Sequence, residues 1–466
     1  MLHGMKKLCF GFWLLGMLCA AGADTVTEAK AAMRRAAEYF HGKVAAHGGY
    51  VYHYSPDLKE RSGEGKATLD QIWVQEPGTP AVGNAYLEAY TATGDAFYLQ
   101  AARDAAAALL HGQLASGAWT NAVDFDPQGS QAALYRNGKG NKKGRNFSTL
   151  DDGITQGALR FQLRLEKADP NGVAGLKEGI DVALDALLAA QFPNGGFPQG
   201  WTGPVEKRPV VKAKYPDYDW RTENRIKNYW DHYTLNDGVC GQVADTLEVA
   251  HELRGDMRCR EALVKLGDFL LLAQMPEPQP AWAQQYDAEM RPIWARKFEP
   301  PAIAGRESVD AMLTLIRIAK ITREARFVAT LPQARAWMQR SLLPGNKLSR
   351  YYELQTNKPL YMTSDYQLTH DDSKLPKHYG WHDDSRLDEI DAELRALRPG
   401  QEIVKPKTTE AEARAIIAAL DAEGCWISVH DGQMLVGQPK FQPGQRYIAS
   451  AVFAENLGKL AEFVRP

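Results

Sequence analysis

Apolar residues recur at helical rather than strand spacing through most of this sequence, and that period confines the chain to a mainly α architecture. Ten stretches carry it: 28–44, 83–93, 97–113, 153–165, 174–191, 238–253, 259–274, 308–321, 331–342 and 410–422. Between them one beat returns: helix, short turn, helix, then a loop of glycine and an aromatic residue. The loops are Gly48-Gly49-Tyr50, Gly117-Ala118-Trp119, Gly195-Gly196-Phe197, Pro280-Ala281-Trp282, Arg350-Tyr351-Tyr352 and Gly424-Cys425-Trp426. Their aromatic residues stand 69 to 85 residues apart, a longer period than that of short solenoids. Such spacing suits an all-α protein folded as an α/α toroid, an incomplete barrel of helical hairpins with its long loops at one mouth. Residues 24–466 then form a single domain rather than the three that a length of 466 would suggest. Segments 202–229 and 366–407 are the long insertions, and their mix of Tyr, Trp, Lys and Asp predicts ordered loops rather than linkers.

The first 23 residues are not part of that domain. Lys6 and Lys7 precede an apolar run from Leu8 to Leu18 that is too short to span a bilayer, and Ala21-Gly22-Ala23 is a cleavage signal. We read a signal peptide cut after Ala23 and a secreted or periplasmic product; a lipoprotein reading at Cys19 is disfavoured by the bulky Leu18. Removing the two lysines leaves 53 basic against 57 acidic residues, a balance of −4, and no long basic run offers itself to phosphates. Nucleic acid is excluded as a partner, no membrane span is expected, and the protein is expected to be a monomer. Cys240, Cys259 and Cys425 remain, too few and too scattered for a disulfide framework or a zinc site.

Two turns repeat one pattern of candidate chemistry. Thr149-Leu150-Asp151-Asp152-Gly153 and Thr234-Leu235-Asn236-Asp237-Gly238 open adjacent hairpins, and together they could gather the carboxyl oxygens that a hard cation such as Ca2+ requires. The alternative is that they are helix N-caps, satisfying free amides and complementing the helix dipole. A third stretch, Ala295-Arg296-Lys297-Phe298-Glu299-Pro300-Pro301 through Arg306-Glu307-Ser308, holds Arg296 against a rigid Pro-Pro segment, as a carboxylate partner of either a structural or a substrate-binding kind.

These stretches, with Gln191-Phe192-Pro193-Asn194-Gly195-Gly196-Phe197-Pro198-Gln199, Trp282-Ala283-Gln284-Gln285-Tyr286-Asp287, Arg350-Tyr351-Tyr352-Glu353-Leu354 and Thr356-Asn357-Lys358-Pro359, resemble in order the pectate lyases of polysaccharide lyase family ten, over about 149–359. The resemblance implies an α/α toroid, dependence on Ca2+, an anionic polysaccharide substrate and β-elimination of homogalacturonan or a related uronate polymer. It makes Asp151 and Asp237 the metal-side acids, Arg296 the base, and Arg350, with Asn236, Asp152 and Arg306, the substrate contacts. Departures stand beside it. Asp152 replaces the family's usual Asn, Gly238 a usual acid or Asn, and Ser364 before Asp365 an arginine; from Tyr366 onward, through His370, Asp371, Asp372, His378 and Trp381, the pattern is not followed. His378 is read as structural, and Trp201, Trp282 and Tyr352 as anchors of loops rather than sugar platforms. Two other readings remain: a glycoside hydrolase recruiting Asp152, Glu299 or Glu307, and a non-catalytic glycan-binding protein.

Overall fold

The computed structural model describes residues 9–222, 227–398, 400–401, 403 and 406–465, with side chains from Asp24 onward. Of the segment expected to be a leader, residues 1–8 lie outside that range, and the expected cut after Ala23 falls within a continuous helix. Twelve α-helices form among the described residues: α1 (Cys9–Tyr39), α2 (Thr79–Thr93), α3 (Ala96–His111), α4 (Ile154–Ala168), α5 (Leu176–Ala189), α6 (Val239–Arg254), α7 (Met257–Ala273), α8 (Gly305–Thr322), α9 (Leu331–Arg340), α10 (Leu387–Ala396), α11 (Glu410–Ala418) and α12 (Ser450–Val464). Local chemistry sets many of their ends. Asp95 and Asp256 cap α3 and α7 by accepting from Phe97 N and Arg258 N, Thr409 and Glu412 form a capping box on α11, and left-handed Gly94 and Gly255 stop α2 and α6.

Even-numbered helices form the inner wall: α12 packs on α2, α2 on α4, α4 on α6, α6 on α8 and α8 on α10. Odd-numbered helices lie outside them, α3 on α2, α5 on α4, α7 on α6, α9 on α8, and α1 and α11 on α12. The fold is therefore an α/α toroid. Short strands zip its mouth. The segment entering α12 (Arg446–Ala449) pairs with His53–Tyr54, that entering α2 (Gln71–Trp73) with Ala122–Asp124, and those entering α4, α6 and α8 with Gly200–Trp201, Gln285–Tyr286 and Tyr351–Tyr352. The C-terminal strand thus closes on the N-terminal one. The seam between α10 and α12 has no such pair among the described residues, so the ring is zipped on five of its six sides.

The recurring loops are equivalent in detail. Each turns on one bond from an amide to the carbonyl just before the aromatic residue: Ala46 to Gly49, Leu114 to Ala118, Phe192 to Gly196, Met275 to Ala281 and Asp421 to Cys425. Trp119, Trp282 and Trp426 then donate Nε1 to Leu109, Leu270 and Ile416 carbonyls near the ends of α3, α7 and α11. The remaining turn differs from expectation. Its bond runs from Leu343 to Lys347, so Leu348, not Tyr352, holds the aromatic position; Tyr352 sits one strand later and donates to Ser341 O. Two helices were not predicted. α10 lies within the segment read as an insertion and buries only Leu387 and Ile390, while α12 carries a clear apolar stripe of Phe453, Leu457, Leu460, Ala461 and Val464. Cys240, Cys259 and Cys425 are free and buried, as small core residues are. Among the described residues no helix is long and apolar enough to cross a membrane.

Candidate functional site

The mouth of the ring is where the inner helices begin, so the positive ends of their dipoles converge there. The repeated turns occupy it. Asp151–Gly153 and Asn236–Gly238 are single turns of tight helix that pack against each other ahead of α4 and α6. Both contain two successive left-handed residues, Asp152 (φ 44°) with Gly153 (φ 71°) and Asp237 (φ 54°) with Gly238 (φ 68°). Left-handed aspartate costs backbone energy, and such strain is characteristic of positions where a side chain must be aimed. Here it aims carboxylates away from the helix. Unlike Asp95 and Asp256, neither acid caps the helix that follows it.

Asp151, Asp152 and Asp237 offer oxygens that all lie within 4.8 Å of one another. Amides steady each of them: Gln199 Nε2 donates to Asp151 Oδ1 at 2.7 Å, Gln75 Nε2 to Asp152 Oδ2 at 2.8 Å, and Asn236 Nδ2 to Asp237 Oδ2 at 2.5 Å. Burial pushes the Asp237 carboxyl up to about 7, with the Asp151 charge adding to it. Asp152 rises to about 6 through lost hydration and the charges of Asp237 and Glu64, and Asp151 rises for the same first reason, then through Asp152. Three mutually repelling carboxylates held together are a strained arrangement that positive charge relieves.

Arginines surround them. Arg296, 41% exposed, donates from Nη2 to Glu299 Oε1 at 2.5 Å, lies over the rings of Phe298 and Tyr379, and exerts its charge on all three acids. Burial works to lower its pKa, but the bond and charge of Glu299 hold it well above the ordinary value. Arg350 is buried beneath the cluster, between Asn236 Oδ1 and Glu307 Oε1 at 3.2 Å each. Arg306 is exposed at the start of α8, where its charge opposes the rise at Asp152. Asp151, Asp152, Asn236, Asp237, Arg296, Arg306 and Arg350 therefore converge on one place.

The other expected residues are placed as follows. Asp152, which the resemblance assigns to substrate, stands beside Asp151 and Asp237, at the point of its turn that matches Asp237 in the other. His378 is exposed, with its ring crossing that of Phe298 at 82°. Ser364 is exposed in the turn of a hairpin, away from these contacts. Trp201 and Trp282 are buried anchors, the former donating to Ser116 O. Residues that the sequence reading missed are Gln75, Gln199, Glu64 and Tyr379. Gln75 also donates to Glu64 Oε1 at 3.2 Å, and Tyr379 donates to Glu299 Oε1 at 3.1 Å. Gln199 ends a motif that the sequence does display; the other three come from segments with no patterned neighbour.

Residues 113–349, about half of the chain, match the family described as pectic acid lyase. The chain belongs to the pectic acid lyase family. The match spans both acidic turns, Arg296 and Arg306, and stops one residue short of Arg350. Among solved structures the chain is similar to a family 10 polysaccharide lyase from Cellvibrio cellulosa, at 20% identity over 69% of this chain and 98% of that one, with a TM-score of 0.48. A mutant of a family 10 polysaccharide lyase from Cellvibrio cellulosa in complex with trigalaturonic acid gives 20% identity, 65% and 96% coverage, and 0.47. Cellobiose 2-epimerase from Spirochaeta thermophila DSM 6192 gives 13% identity, 94% and 97% coverage, and 0.45. No curated protein matches. Family membership, carried by the 113–349 match, places the chain among the polysaccharide lyases.

Proposed function

We propose that this pectic acid lyase family member is a secreted enzyme that cleaves pectate or a closely related polyuronate by calcium-assisted β-elimination. The observation that carries the reading is the convergence of three carboxylates and one half-exposed guanidinium at the mouth of the ring. The donor set fits a hard cation: it is all oxygen, crowded and raised in pKa, and Gln199 Oε1 lies buried without a partner beside it. Asp151, Asp152 and Asp237 would hold Ca2+. When bound, such an ion neutralises a uronate carboxylate and makes the proton α to it easier to remove.

The chain's own residues supply the rest. Elimination breaks the C5–H bond and expels the O4 glycosidic oxygen as the C4–C5 double bond forms, and Arg296 is assigned to the C5 proton. Glu299 holds Arg296 at two points, accepting from the guanidinium and, at 2.9 Å, from the backbone N, and Tyr379 donates to Glu299. Paired in this way, Arg296 is a cation at rest and must shed a proton before it can accept one, which requires alkaline conditions. Arg350 keeps Asn236 in place under the acids. Of the three acids that the hydrolase alternative would recruit, Glu299 and Glu307 are each 1% exposed and paired with Arg296 and Arg350, so neither carboxyl is open to a glycosidic oxygen, and Asp152 alone remains. The test is Arg296→Ala assayed on polygalacturonate. Loss of unsaturated product with retained polymer binding supports the assignment, and retained turnover removes it.

A further inference from the structure

The stretch between Asp126 and Asp151 contains five cations and no acid, in a chain that is otherwise balanced. Arg136 pairs with Glu178 at 2.6 Å. Lys139, Lys142, Lys143 and Arg145 are exposed and form no ion pair with any described residue, although most arginines of this protein do. They are held, not loose. Leu134 N bonds Arg145 O, Asn141 N bonds Ala133 O, Gly144 N bonds Asn141 O, and Ser116 N bonds Asn146 Oδ1. The loop lies at the mouth, between Ala122–Asp124 and the segment entering α4.

From it a continuous path leads to the acids. Arg145 lies 5.0 Å over the Phe147 ring, whose centroid is 6.2 Å from that of the half-exposed Trp230. Trp230 O accepts from Gln199 N at 3.0 Å, and Gln199 Nε2 holds Asp151. Beyond the site lies a half-exposed indole and then four unneutralised cations on a braced loop. The reacting sugar's neighbours must lie along the mouth in one direction or the other, and this direction offers an aromatic platform followed by positive charge.

We infer that Lys139, Lys142, Lys143 and Arg145, with Trp230, form an accessory subsite for the part of an anionic polysaccharide chain that extends past the Asp151 side of the cleft. The inference rests on the polyuronate reading of the site and names where a long substrate is gripped. A short oligomer that only fills the acid cluster does not reach it. The grip is electrostatic and is expected to weaken as salt rises.

The test compares the wild type with the triple variant Lys142→Ser, Lys143→Ser, Arg145→Ser, whose residues touch no part of the acid cluster. Binding of polygalacturonate is measured by affinity electrophoresis in chelator, and turnover is measured separately on polymer and on trigalacturonate with calcium. The expected result is a loss of polymer affinity on the order of tenfold, a matching rise in KM for polymer with kcat unchanged, and no change on the trimer. Polymer binding equal to wild type overturns the subsite. So does an equal loss on trimer and polymer, or a stronger affinity of the patch for DNA or anionic vesicles than for polygalacturonate at the same salt. Wild type that binds polymer through these residues but makes no unsaturated product upholds the subsite and refutes the lyase reading, so the two failures are distinguishable.

Discussion

At the scale of single residues, the three carboxylates dominate because they are placed where each raises the others. A folded-state carboxyl pKa above its unfolded value means that the folded protein holds protons more tightly. The associated stability is then fully present below about pH 4 and is lost as pH rises through about 6 and 7, the values to which Asp152 and Asp237 are pushed. The metal-free protein is therefore expected to melt progressively lower between pH 4.5 and 8. Calcium should restore more stability at pH 8 than at pH 5, as read by thermal unfolding in chelator and in calcium. Asp237→Asn removes the most affected charge: it should stabilise the metal-free protein at pH 8 by on the order of 1 kcal/mol while abolishing cation binding. Destabilisation by that change would contradict the account of mutual repulsion. Arg296→Lys tests the base. Lysine ionises about two units or more below arginine, so the activity that survives should show its alkaline limb at lower pH. An unchanged pH profile would take Arg296 out of proton transfer.

At the scale of elements, the turns ahead of α4 and α6 were legible because four of five residues recur, with Asn236 in place of Asp151, at equivalent points of adjacent hairpins. The sequence could not decide between capping and metal binding, since Asp before a helix serves both. The left-handed backbone at Asp152 and Asp237 decides against capping. Gln75 was invisible for another reason: it precedes α2 without any motif and meets Asp152, at the entry to the neighbouring α4, only in the folded chain. Its amide orients a carboxylate proposed to hold calcium, so Gln75→Ala should weaken calcium binding about tenfold, measured directly by calorimetry, with turnover recovering at saturating calcium. Unaltered affinity would make Gln75 a bystander. The loop tryptophans carry a different load. Trp282→Phe removes one of the two donors to the Leu270 carbonyl, which keeps the Gln274 amide, and a cost of about 1 kcal/mol in denaturant unfolding is expected, with no effect on cation affinity.

The whole molecule is a ring whose two ends must meet. Helical periodicity revealed ten of the twelve helices and the toroid, because inner and outer helices both need apolar stripes. It missed α12, whose stripe was present in the sequence, and α10, which buries too little to show. The missing pair includes the closure: α12 packs on α2, and Arg446–Ala449 pairs with His53–Tyr54. A chain ending at residue 426 keeps the family-matched segment and the acid cluster but loses this closure. It is expected to lose cooperative unfolding rather than activity alone. Convergence of the site likewise depends on the ring, since its charges come from the entries to α4, α6 and α8 and from the segments that zip them.

The most direct test of calcium-assisted elimination is absorbance in the near ultraviolet while the purified protein acts on polygalacturonate at alkaline pH. The account predicts a rise from the conjugated double bond, abolished by chelator, restored by calcium and absent in Asp237→Asn. New reducing ends without that absorbance, or a rise indifferent to chelator, would contradict it.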